Sequence, residues 1–160
     1  MQVASTSSLR ILSLCAIVAL TAPLARAASN SSAPGELIDT TLIATLTTRA
    51  QQAQPRDQVQ AYADLADKIS LLANKQIVDG DIEAAQKTLQ QLEACTLVIE
   101  TGLQRDSRGL KKTEMLLHAT HRRLTDMIRA ASGDMKPIVQ TTLKRLEKAQ
   151  TILLAAVFEH

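Results

Sequence analysis

Aromatic residues are nearly missing: the 160-residue chain has one Tyr (Tyr62), one Phe (Phe158) and no Trp. That argues against stacking platforms for single-stranded nucleic acid and against aromatic sugar-binding clefts, since both need several ring faces on one surface. Glycine is scarce too, with five in all. None stands in a GxGxxG or GxxxxGK[ST] pattern, so no phosphate-cradling loop is encoded. The two cysteines, Cys15 and Cys95, form no CxxC pair, and no GxSxG elbow occurs. Redox and acyl-transfer chemistry are left without a motif.

What is present begins with a leader. Arg10 precedes an apolar run from Ile11 to Leu20, and Ala25-Arg26-Ala27 follows as an A-x-A cleavage site. These are the three parts of a secretory signal peptide, so residues 1–27 are expected to be removed on export. The run is shorter than the ~20 residues that a membrane span needs, and Pro23 interrupts its end, which weighs against an uncleaved anchor. Leu14 precedes Cys15 where a lipidation site wants a small residue, so no lipid anchor is expected. The next stretch, 28–35, is a small polar spacer.

Cleavage changes the charge. The chain carries 18 Lys and Arg against 16 Asp and Glu, and the leader takes Arg10 and Arg26 with it. The mature protein is then neutral, which gives no global argument for nucleic acid as a partner. Cys95 becomes the only thiol, so no intramolecular disulfide can form; burial as a small hydrophobe is favoured over an intermolecular bridge.

The remainder, 36–160, is long enough for one self-sufficient domain and reads as all-α, because apolar residues recur at three- and four-residue spacing and no alternating strand pattern occurs. A first segment, about 36–53, repeats Ile38, Leu42 and Leu46, although five threonines lower its helix preference. After Pro55 a second helix runs from about Asp57 to Asp79, with Val59, Tyr62, Ala66, Ile69, Ala73 and Ile77 on one stripe. Gly80 suits a left-handed C-terminal cap and Asp81 can cap the next helix. That third helix has the most regular seam: Ile82, Ala85, Leu89, Leu92, Thr96, Ile99 and Leu103. Asp106 or Ser107 can cap a fourth helix, about 108–131, and Pro137 sits in the first turn of a fifth. Matched lengths and short turns predict an up-down-up-down antiparallel four-helix bundle with an additional N-terminal helix.

The turn from Asp79 to Ala85, followed by Leu89, resembles the inter-helix turn of a tetratricopeptide repeat. The resemblance covers about 40 residues and occurs once. With no second copy at a 34-residue offset it implies a helical hairpin and nothing more.

One cluster has ligand chemistry. Glu114, His118 and His121 fall at about 60°, 100° and 40° from Leu117 on a helical wheel, on one flank of the fourth helix's apolar stripe. Two imidazoles and a carboxylate suit Zn²⁺, Ni²⁺ or Cu²⁺. The order differs from HExxH, however, and Glu with His at i+4 is common on solvated helix faces.

Charge is unevenly placed. Residues 28–103 hold 5 basic and 10 acidic side chains, and 104–160 hold 11 basic and 6 acidic. An acidic helical hairpin is therefore expected to pack beside a basic one. Arg108, Lys111, Arg122 and Arg129 line the outer face of the fourth helix, a solvated stripe that could also touch an anionic surface. The fifth helix ends apolar on more than one face, from Ile152 to Phe158, which suggests a covering contact.

The sequence thus reads as an exported, non-enzymatic helical bundle of the cell envelope, placed in a bacterial periplasm, without cofactor. It acts by binding or as a structural protein, through an unknown protein partner or self-association. The two alternatives are a metal-binding bundle using Glu114, His118 and His121, and a peripheral protein bound through the basic stripe.

Overall fold

A computed structural model describes residues 38–105, 109–131 and 133–158. The leader 1–27 and the spacer 28–35 lie outside them. The described chain is all-α, with five helices and no strand: α1 (Thr40–Gln52), α2 (Pro55–Asp79), α3 (Ile82–Leu103), α4 (Leu110–Ala130) and α5 (Met135–Phe158).

Local chemistry accounts for most of the boundaries. Asp39 caps α1, its Oδ1 accepting from the Leu42 amide at 2.8 Å. The threonines that weaken α1 by propensity turn their hydroxyls back onto the helix: Thr45, Thr47 and Thr48 donate to the carbonyls of Thr41, Ile43 and Ala44. Each hydroxyl is thereby satisfied without leaving the helical backbone. Pro55 opens α2 at a position where its missing N–H is harmless. Gly80 closes the helix at φ 80°, and Asp81 accepts from the Ala84 amide at 3.2 Å to start α3.

The start of α4 differs from the sequence expectation. The helix begins at Leu110, after Gly109 at φ 70°, and no side chain caps it. Asp106 and Ser107 lie outside the described residues, and the cap is Gly109. The reason lies in the backbone: φ 70° is a left-handed conformation that glycine adopts without strain, and a Cβ there would also press on the movable end of the Gln60 side chain.

The core is built mainly from leucine and isoleucine, with Leu65, Ile69, Leu89, Leu92, Ile99, Leu117, Leu124, Leu146 and Leu153 fully buried. Such a side chain contributes about 1.5–3 kcal/mol on leaving water. α2 packs on α3, α3 on α5, α5 on α4 and α4 on α2, while α1 packs on α2. Among the described residues α3 does not pack on α4, nor α2 on α5.

Side-chain pairs give the directions. A Cβ on Gly102 would meet Val59 Cγ2 at 2.5 Å, which sets the end of α3 against the start of α2. Arg123 of α4 meets Asp67 and Ser70 of α2, and Gly109 lies by Gln60, so residue numbers rise together along α2 and α4. The same holds for α3 and α5: Arg145 Nε lies 3.0 Å from Glu93 Oε2, and Lys148 Nζ donates to Glu100 Oε2 at 2.7 Å. In these three ion pairs between α2–α3 and α4–α5 the acid comes from the first pair and the base from the second. The opposite charges of the two halves meet at this interface.

Candidate functional site

The three residues with ligand chemistry are not gathered around a point. His121 Nε2 turns towards α5 and lies 3.3 Å from Glu147 Oε1, while His118 is exposed and Glu114 half-buried. Among the described residues no group of three or more His, Cys, Asp or Glu is placed to hold a metal ion. Helical spacing put the three on one flank, but the neighbouring helix supplies His121 with a different partner.

In the basic stripe, Lys111, Arg122 and Arg129 are exposed on α4, and Arg108 lies outside the described residues. Arg129 is tied to Asp126 at 3.2 Å. Met115, also exposed, lies among them near 160° on the same wheel. Cys95 is buried on α3. Desolvation pushes its thiol up to about 12, against a smaller lowering by its own backbone hydrogen bond. A thiol held protonated is a poor nucleophile at neutral pH. At the end of α5, Leu153 is buried, whereas Leu154, Val157 and Phe158 stay exposed at i, i+3, i+4 spacing. No described helix is long and apolar enough to cross a membrane.

Sequence reasoning missed a cleft of about 760 Å³ lined by α1, α2 and the start of α4. Leu46, Ala53 and Ala61 supply its apolar lining. Gln52, Gln54 and Gln60 supply amides, and Thr45 and Thr48, whose protons are held by helix carbonyls, supply acceptor oxygens. Its charges come from Arg49 on α1, Asp57 and Asp64 on α2 and Lys112 on α4. Asp57 has Arg56 beside it at 3.6 Å. Arg49, Asp64 and Lys112 have no ion-pair partner among the described residues. Two features shape the cleft. The break at Ala53 and Gln54 folds α1 back along α2, and the glycine at 109 lets α4 begin close to Gln60.

This lining lacks His, Cys and Ser, the side chains that most often act as nucleophile or base near neutral pH. What it offers is a dense set of hydrogen-bond donors and acceptors with charges of both signs. No known protein family, no curated protein and no solved structure matches the chain.

Proposed function

We propose that this is an exported, non-enzymatic binding protein of the cell envelope, acting in a periplasm-like compartment without a cofactor. The observation that carries the binding role is the cleft between α1, α2 and α4, whose volume of about 760 Å³ falls within the roughly 300–1,000 Å³ typical of small-ligand sites. Its lining suits recognition better than bond making. Export rests on the leader: Arg10, the run Ile11–Leu20 and Ala25-Arg26-Ala27.

The architecture that fits the helix contacts is a four-helix, up-down-up-down assembly made of two hairpins laid side by side, α2–α3 and α4–α5, with α1 added across α2. The residues linking α3 to α4 then join helices on opposite corners. Charge complementarity between the acidic and the basic hairpin supports this pairing.

Native mass spectrometry of the protein purified from the exported fraction of its host tests the proposal. The expected species is a chain lacking residues 1–27, with a small non-metal ligand retained under gentle conditions. A retained leader would overturn export. A stoichiometric metal lost in the His118→Ala/His121→Ala variant would replace this reading with the metal-binding one.

The exposed stripe of α4 favours a second reading, attachment to an anionic surface through Lys111 and Arg122, with Met115 between them. Co-sedimentation with anionic vesicles that disappears at high salt would support it, because screening removes such contacts. Absence of binding at low ionic strength would end it.

A further inference from the structure

We infer that the cleft between α1, α2 and the start of α4 takes a ligand with a free carboxylate and a free ammonium, in the form of a short peptide. This rests on the reading of the cleft as a binding site and specifies its ligand. Charge narrows the class first. Arg49 and Lys112 are two cations without ion-pair partners among the described residues, contributed by different helices to one cleft. Arg49 suits a carboxylate, offering the planar fork that holds both oxygens, and Lys112 adds a second positive charge to the same cleft. Asp57 and Asp64 line the same cleft and would repel a polyanion, while Asp64, half-buried and without an ion-pair partner among the described residues, suits an ammonium group.

The neutral groups narrow it further. Gln52, Gln54 and Gln60 each bring one carbonyl acceptor and two N–H donors, the complement of a peptide backbone. The lining contains no aromatic side chain, so it offers no stacking face to a sugar or a nucleobase. The volume fits a few residues of chain, and the open side lets side chains project into water. A free amino acid shares the charged ends, but would leave the amides of Gln52, Gln54 and Gln60 to water.

Titration of the ¹⁵N-labelled protein with tri-alanine, tri-alanine amide, N-acetyl tri-alanine and alanine tests this. Tri-alanine is expected to shift amide resonances of α1, of the start of α2 and of the start of α4. Its affinity is expected to fall about tenfold or more when the peptide carboxylate is amidated, and likewise in Arg49→Met, since each change removes a charge-assisted contact. N-acetylation and Asp64→Asn are expected to act alike at the other end. Arg49 is exposed, so the variant should keep its urea midpoint, which separates lost binding from lost folding. Equal binding of the free and the amidated peptide would overturn the inference. Tighter binding of alanine than of tri-alanine would assign the cleft to free amino acids and overturn the peptide form. Cleft shifts from a different small molecule, with none from tri-alanine, would overturn the ligand class and leave the binding role standing. No cleft shift from a broad set of polar small molecules would overturn both.

Discussion

Thr113 is fully buried on α4, and its hydroxyl has no hydrogen-bond partner among the described residues. Thr96 and Thr120 are equally buried, yet they donate to the carbonyls of Leu92 and Leu116 at 2.7 and 2.9 Å. The same substitution should therefore act in opposite directions. Thr113→Val removes a dry, unpaired hydroxyl and is expected to stabilise by about 1 kcal/mol, while Thr96→Val breaks a made bond and is expected to cost about 1 kcal/mol, both read from urea unfolding. Cys95 gives a pH-dependent counterpart. Burial raises its folded thiol from the ordinary value of 9.0 to about 12. A raised folded value means a contribution fully present below the unfolded value and lost as pH rises through the folded one. Relative to Cys95→Ala, the wild-type protein should lose stability between about pH 9 and pH 12, and a thiol reagent at neutral pH should label Cys95 only after denaturant is added. Rapid labelling of the folded protein would show that the thiol is not buried.

Helix α3 shows how much of an element can be read from its own residues. Its seam is buried at Ala85, Leu89, Leu92, Thr96, Ile99 and Leu103, because that face of α3 meets α2 and α5, while Ile82 in the first turn is exposed. Helix α2 is less legible. The stripe through Val59, Ala66, Ile69 and Ala73 is buried, but so are Ala63, Leu65 and Leu72, since α1, α3 and α4 all pack on it. A single stripe cannot describe a helix covered on several sides. Caps divide in the same way. Gly80 and Asp81 act within their own turn, so composition was sufficient; α4 instead starts at Gly109 with φ 70°, a left-handed residue that the preference for Asp or Ser as a cap does not anticipate. Asp81→Ala should cost about 1 kcal/mol by freeing the Ala84 amide, and Gly80→Ala about 1–2 kcal/mol at φ 80°. Thermal melts of the two variants check both, and an unchanged melt for Gly80→Ala would mean the turn adopts another conformation.

The pairing of the two hairpins combines a legible feature with a hidden one. Opposite net charge in the two halves predicted that they would meet, yet nothing in the spacing of apolar residues says that α4 should lie beside α2 and not beside α3. The cleft shares that limitation, because its walls come from α1, α2 and α4, and their juxtaposition is decided by packing alone. Among the inter-hairpin ion pairs, Arg123 with Asp67 is the most enclosed. Arg123 Nη1 donates to Asp67 Oδ1 at 3.0 Å and to the Ser70 hydroxyl, and Ser70 in turn donates to the Asp67 carbonyl. Asp67 keeps Lys68 Nζ at 3.2 Å when Arg123 is removed, so Arg123→Met should cost about 1–3 kcal/mol, whereas the double variant Asp67→Asn/Arg123→Met should cost clearly less than the sum of its single changes. Glu93 and Arg145, with Arg145 largely exposed, form a pair that water screens, and its coupling should stay within about 1 kcal/mol. A double-mutant cycle on each pair measures both. A large coupling between positions 67 and 123 requires α2 and α4 to be neighbours, and a coupling near zero there would mean that this enclosed ion pair does not form.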